Sequence, residues 1–360
     1  MSYLLAFAGF AALIVLHEFG HFAAAKAVGM RVERFSLFFP PLLLRRKRGE
    51  TEYAIGAIPL GGYVKISGMS PHEELSPEVA PRAYLNQPVW KRIVVIAAGP
   101  AMNVVIAFVI LFAIFLANGI PQSVPTKLFS VDRGSAAAGV LKPGDRVVAV
   151  DGRDGGEPAL ARAIAAHRCA GRLTPGCRAA TPASVTVLRD GRRLTVAITP
   201  RYDAAHKKMR LGVTFGGVDY RPAGPLRAAG HSGDRMWAVT TTTVSAIGKL
   251  FYSSQARKQV SGVVGSYEFT QQSFAFDTTQ ALNVLAIISL SLAIVNLFPF
   301  LPLDGGHIFW ALAEKIRRRP IPYTVIERAS AVGFFLVIFI FAVGLSNDIG
   351  RLRGAGFGVR

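Results

Sequence analysis

The sequence is short of cysteine and of acidic residues, and it shows no internal repeat and no long disordered tract. Its two cysteines, Cys169 and Cys177, fall short of a cysteine-built zinc site, which takes four ligands. They read instead as a short loop staple in an oxidising compartment. Aspartate and glutamate total 22 against 41 lysines and arginines, a net charge of +19. Such an excess raises the question of nucleic acid, but no aromatic-basic reading module is visible and no nucleic-acid partner is expected. The missing repeat weighs against transporters built from inverted halves. The amino-terminal apolar run lacks a basic start and a small-residue cleavage site, so it is expected to stay as a signal anchor.

Apolar length is what the chain has. A spanning helix needs about 20 mostly apolar residues. Leu4–Val28, Ile93–Ala117, Ala281–Leu301 and the shorter Ser330–Leu345 meet or approach that requirement. The positive charge concentrates beside these runs, in Arg45–Arg48 and Lys91-Arg92, then in Lys315 and Arg317–Arg319. Short basic loops of this kind stay in the cytoplasm. Both termini and the region 118–280 are then expected outside. Between the first two runs, Arg31–Pro40 and Glu52–Ser67 alternate apolar and polar residues in the strand period. Pro59-Leu60-Gly61-Gly62 divides the second stretch, which predicts a hairpin turning there. Residues 120–200 read as a small α+β domain with turns at Pro143-Gly144-Asp145 and Asp190-Gly191. Met236–Phe251 reads as an amphipathic helix at the membrane surface, followed by a glycine-rich break at Ser261–Gly265.

Two stretches carry chemistry. His17-Glu18-Phe19-Gly20-His21 places two imidazoles at i and i+4 on one helix face, near enough to share an ion. Glu18 between them is placed to take a proton from water polarised by that ion. A chance match on a polar helix end is the competing reading. The surrounding helix is Leu, Ile, Val, Ala and Phe, and each ionisable group in such a span costs at least about 2.5 kcal/mol. Three in five residues demand partners. A catalytic zinc commonly takes three protein ligands and leaves one position open, so a third ligand must come from elsewhere. Asp304 is the best candidate, in the Pro- and Gly-interrupted stretch Asn296–Gly306, because irregular backbone at membrane depth belongs where it lines a cavity. An ordinary turn aspartate competes with that reading. His307 is a rival ligand, read as a loop residue.

These motifs, with Gly99-Pro100-Ala101-Met102-Asn103, resemble the three motifs of the site-2 family of intramembrane zinc metalloproteases, in the same order. The chain is most similar to the bacterial regulator-of-sigma-E type. Ala57–Lys65 resembles that family's membrane-associated β-hairpin, and Ser135–Gly139 through Lys142–Asp145 to Asp151-Gly152 resembles a PDZ domain, of which there is room for one. Val263 stands where many relatives carry proline. The resemblance implies His17, His21 and Asp304 as Zn2+ ligands, Glu18 as general base and Asn296 as a contact to substrate backbone. It extends the substrate contacts to Ile58, Gly61, Gly62 and Tyr63 of the hairpin. Asn103 fits the family pattern and fits a helix-packing hydrogen bond equally well.

The expected fold is membrane α-helical, with about four transmembrane helices, the β-hairpin and one inserted extracytoplasmic α+β PDZ-like domain. Its divisions are a first span at 1–30, a cytoplasmic-side loop at 31–90, a second span at 91–118 and the PDZ-like domain at 119–202. A linker at 203–280, a third span at 281–306, a basic cytoplasmic loop at 307–329, a fourth span at 330–347 and a frayed tail at 348–360 complete it. The implied activity is peptide-bond hydrolysis in single-span membrane proteins, of the anti-sigma-factor or signal-peptide-remnant class, after a prior extracytoplasmic cut. The expected place is the bacterial inner membrane. Partners are those substrates, the lipid bilayer and peptide termini at the PDZ-like domain. A non-catalytic PDZ scaffold and a metal or proton transporter are the alternatives.

Overall fold

The first apolar run becomes helix α1 (Ser2–Ala27) in the computed structural model, which describes residues 1–70, 73–319 and 321–354. Leu13, His17, Gly20, His21 and Ala25 are buried along α1 at three- and four-residue steps, so the face that packs inward carries both imidazoles. Two compact units divide the chain: residues 1–115 with 225–360, and residues 116–224 between them.

In the first unit, α1 leads into strands β1 (Val32–Arg48) and β2 (Thr51–Ile66), then α2 (Val89–Asn118). The turn expected at Pro59–Gly62 lies inside β2. The hairpin turns instead at Gly49-Glu50, where Arg48 pairs with Thr51 and Gly49 has φ 61°, as a two-residue hairpin loop requires. Pro59 has a different effect. It cannot donate to a ladder, and near it the hairpin folds over itself: Arg34–Leu37 of β1 pairs with Gly62–Lys65 in the hairpin's own register and with Glu52–Ile55 on its other side. Polar contacts anchor the turn. Glu50 accepts from Lys26 at 2.5 Å and from both terminal nitrogens of Arg82 at 2.7 and 2.9 Å. Arg82, then Lys26, hold its carboxyl down at about 2. Beneath, Ala25, Met30, Val32, Ile66, Tyr84, Val95 and Ile96 form one buried cluster joining α1, the hairpin and α2.

The second unit holds β3 (Ile120–Val131), β4 (Arg146–Val150), β5 (Arg153–Asp154), α3 (Glu157–Ala165), β6 (Ala183–Arg189), β7 (Arg192–Ile198), β8 (Arg201–Asp203), β9 (Lys208–Arg210) and β10 (Val213–Arg221). The main sheet runs β10-β3-β4-β6-β7, with β5 beside β4. Ala183, Val185 and Val187 are buried on alternate positions of β6 and meet Leu160 and Ile164 of α3 in the core. Asp190 and Gly191, both at positive φ, make the tight β6–β7 turn. Cys169 and Cys177 are joined as a disulfide. Asp145 would be raised by its burial, but hydrogen bonds from Arg189 and the Lys142 backbone leave its carboxyl below the usual range. The expected boundary at 202 is too early. β10 pairs with β3 from Val213↔Val131 to Arg221↔Ile120, because the long β3 offers an edge that a partner distant in sequence fills.

The first unit resumes with α4 (Pro225–Leu250), α5 (Ser254–Gln259), α6 (Val263–Phe276), α7 (Thr278–Asn296), α8 (Asp304–Arg317) and α9 (Tyr323–Arg353). The expected linker is therefore largely helical, and the amphipathic helix begins at Pro225 rather than Met236. The glycine-rich break is the start of α6, capped from α9. Asp348 accepts from the Gly265 N–H at 2.7 Å and the Ser261 hydroxyl at 3.1 Å, meeting donors that a helix start leaves free. The basic loop expected at 307–329 is also corrected: α8 continues to Arg317, ends on left-handed Arg318, and α9 already begins at Tyr323. Residues 348–353 are helical rather than tail, and 355–360 lie outside the described residues. Among the described residues, four helices are long and apolar enough to cross a membrane: α1, α2, α7 and α9.

Replacing Glu50 by Gln is expected to speed amide exchange across Val32–Ile66 at neutral pH, a loss of about 1 kcal/mol of local stability. A carboxyl with a depressed pKa contributes above its unfolded value and loses that contribution as pH falls through the folded one. The native hairpin should therefore loosen on acidification from pH 4.5 towards 2, and the variant should not show that change. Identical exchange profiles in the two proteins would remove the cluster as an anchor.

Candidate active site

One turn of α1 brings the His17 and His21 rings edge to face, with their Nε2 atoms 3.3 Å apart. The third group arrives from the other end of the chain. α7 stops at Asn296 because Pro299 is near, and helices end before the residue preceding a proline. The chain folds back through 297–303 and restarts as α8, with Asp304 in its first turn, where a carboxylate suits the helix dipole. Gly305 permits the fold-back: a Cβ there would overlap the Leu297 and Phe298 backbone. Asp304 Oδ2 comes to rest 3.4 Å from both imidazole Nε2 atoms. The three ligand atoms form a nearly equilateral triangle, and both histidines are only 8% exposed.

The second helix orients the rings. His21 Nδ1 lies 2.9 Å from the Val95 carbonyl oxygen, an acceptor only, so Nδ1 carries the hydrogen and Nε2 of the neutral ring is free. Gly99 lies flat against the same ring; any Cβ there would overlap His21 Nε2, Cε1 and Cδ2. Gly20 answers it from α1, where a Cβ would strike the Ala98 carbonyl. Small residues on both helices thus set the close approach. Asn103 Nδ2 stands 3.0 Å from His17 Nδ1, and Asn296 Nδ2 stands 3.5 Å from His17 Nε2.

Three observations test the site for a metal. Asp304 Oδ2 is buried and has no hydrogen-bond partner, which is costly for a carboxylate oxygen. The donor set, two imidazole nitrogens and a carboxylate, suits zinc. The triangle's edges of 3.3 and 3.4 Å match a tetrahedron with metal–ligand lengths of about 2.0–2.1 Å, whose edge is about 3.3–3.4 Å. The residues fit a zinc ion, for which three protein ligands are the common catalytic set.

The whole-chain comparison agrees with this geometry. Residues 5–340 match the family model of peptidase family M50. The chain belongs to that family. It is a zinc metalloprotease of the membrane-embedded, site-2 type. A protein named as a zinc metalloprotease in Rhizobium meliloti is 30% identical over 95% of this chain and 94% of its own length. Another so named in Nostoc is 32% identical over 94% and 93% respectively. The regulator of sigma E protease of Salmonella typhimurium is 28% identical over 94% of this chain and 96% of its own.

The remaining candidates of the M50 peptidase divide. Glu18 is half-buried beside the triangle, facing the Val64 backbone N–H. Gly62 adjoins it: a Cβ there would lie 3.0 Å from Glu18 Cγ. Gly61 lies under the Phe39 ring. Tyr63 stacks on Phe39 at 6.0 Å and accepts from Arg34 at 3.1 Å. Ile58 pairs with Phe39 and is 41% exposed. Asn296 and Gly62 therefore join the cluster, whereas Ile58, Gly61 and Tyr63 face β1. His307 is on α8, not in a loop, and lines a separate cavity of about 830 Å³ with Arg92, Trp310 and Glu314. Sequence reasoning missed the Val95 carbonyl and the Val64 N–H, backbone groups that no side chain announces. The pairing of Gly20 with Gly99 had a visible signal, glycine in two apolar helices.

Enlarging Gly99 to Val should displace the His21 ring and lower the zinc bound by the purified protein, with Gly99→Ala intermediate. Elemental analysis against the native chain checks this. Full zinc content in the valine protein would mean that the helices part without disturbing the ring.

Proposed function

We propose that His17, His21 and Asp304 hold the zinc of this peptidase and that Glu18 is its general base, acting on single-span membrane proteins. The observation that carries the reading is the position of Glu18, next to His17 on α1 and against the β2 backbone at Gly62–Val64. Zinc, when bound, lowers the pKa of a water to about 7 and polarises a carbonyl. Glu18 takes the proton of the attacking water and delivers it to the departing amine nitrogen. Asn296 donates its amide hydrogen to the substrate backbone. The buried faces of α1 and α2 keep bulk water from the reacting bond.

A helical substrate hides its peptide bonds in its own ladder and must be extended before attack. An extended segment binds by adding to a strand edge. The β2 stretch Gly62–Val64 beside Glu18 supports that role for the hairpin. On the basic-loop argument, Lys91-Arg92 and Arg317–Arg319 face the cytoplasm of a bacterial inner membrane. The unit Leu116–Gly224 then lies outside, as a PDZ-like module that selects the trimmed ends of anti-sigma-factor or signal-peptide-remnant substrates after a first cut.

Purified chain in detergent, given a model single-span substrate, is expected to cleave it. Glu18→Gln should lower the rate by about 10²-fold or more while zinc stays bound. Equal cleavage by both proteins would dismiss Glu18 as the base, and zinc flux without cleavage would favour transport. Proline at Ile58 and Tyr63 should cut turnover with zinc retained; unchanged turnover would count against the strand role.

A further inference from the structure

The hydrogen-bonding of the two imidazoles is unequal in a way that points to a third member of the second helix. Val95, Gly99 and Asn103 recur every fourth residue and form one stripe of α2, facing the turn of α1 that carries His17 and His21. Val95 supplies a carbonyl oxygen to His21 Nδ1 at 2.9 Å. Asn103, fully buried, places its carboxamide 3.0 Å from His17 Nδ1. Its Oδ1 is buried with no hydrogen-bond partner. The amide nitrogen faces the ring while the oxygen goes unused.

That arrangement cannot persist once His17 Nε2 is a ligand. A neutral imidazole that gives Nε2 to a metal carries its hydrogen on Nδ1. Two donors, Nδ1–H and the amide NH₂, would then face each other at 3.0 Å. A half-turn of the carboxamide resolves both faults: Oδ1 accepts from Nδ1–H, and the orphaned oxygen gains a partner. The backbone at Asn103 is held for this, since its carbonyl accepts from the Ser289 hydroxyl of α7 at 2.9 Å.

We propose that Asn103 is the positioning residue of His17, with its side-chain oxygen accepting from Nδ1–H and fixing the ring in the Nε2-ligating tautomer. It does for His17 what the Val95 carbonyl does for His21. Asn103 touches neither the substrate nor the reacting atoms. The inference rests on His17 being a zinc ligand, as proposed above, and goes beyond it.

The test is zinc affinity of the full chain in detergent, by competition with a chromophoric chelator, alongside the thermal midpoint of the zinc-free protein. Asn103→Leu keeps the volume and removes the acceptor; it should weaken zinc binding by about 10- to 100-fold. Asn103→Asp keeps an acceptor oxygen and should restore affinity to near the native value. If Leu does not fold, Asn103→Ala carries the comparison. His17→Ala separates the two readings, because it should lose zinc outright if His17 is a ligand. Retained zinc in that control would defeat the ligand assignment itself. Loss there, with native affinity in the Leu or Ala protein, would overturn the role of Asn103 alone. An Asp protein as weak as the Leu protein would reduce Asn103 to a helix-packing contact.

Discussion

Everything at the centre of this molecule depends on the close approach of α1 and α2 at Gly20 and Gly99. Ionisable groups in apolar helices are tolerated when each polar atom meets a partner. The partners that the two Nδ1 atoms meet, the Val95 carbonyl and the Asn103 carboxamide, both come from the second helix. Bringing α2 to within glycine distance gives His21 a backbone oxygen and His17 a carboxamide. The same approach aims both Nε2 atoms at one point, where Asp304 completes the triangle.

Two aspartates at apolar helices show how a structural acid differs from a functional one. Asp348 is fully buried in α9, yet both its oxygens are engaged by the start of α6. It explains itself as a cap. Asp304 Oδ2 is likewise buried, but it meets only two imidazole nitrogens at 3.4 Å and makes no hydrogen bond. Satisfaction, rather than burial, separates them. An acid whose oxygen is left unpaired amid nitrogen donors is the one whose environment suits a cation.

The meeting of His17, His21 and Asp304 is legible in the sequence because its signals are local. An i, i+4 histidine pair fixes its own geometry, and the prolines and glycines of Asn296–Gly306 announce a broken helix wherever they occur. The disulfide of Cys169 with Cys177, and the four apolar helices, follow from comparably local features. The hairpin turn is not legible, because Pro59 and Gly61-Gly62 look like a turn whereas strand register is decided by pairing with β1. β10 escaped notice for the same reason, since its partner β3 is remote in sequence. α8 reads as a loop in the sequence because its charged residues dominate a stretch that is amphipathic once its glycines are counted as helix. Backbone contributors such as the Val95 carbonyl have no sequence signature at all.

The reach of the hairpin ladder connects fold to chemistry in the proposed reading. The ladder that opens at Arg48↔Thr51 resumes the same register at Leu37↔Gly62 and runs to Arg34↔Lys65. Around Phe39 and Ile58 the hairpin folds over itself, so that Glu52–Ile55 meets the other side of Arg34–Leu37. The continued ladder carries Gly62 and the Val64 N–H to Glu18. Glycine at 62 is required for the same approach, since a Cβ there would lie 2.9 Å from the Ser36 carbonyl and 3.0 Å from the Glu18 side chain. A strand edge held this near a base aligns an extended peptide and the attacking water through one backbone segment. In the proposed reading, extension of the substrate and hydrolysis are coupled by that position.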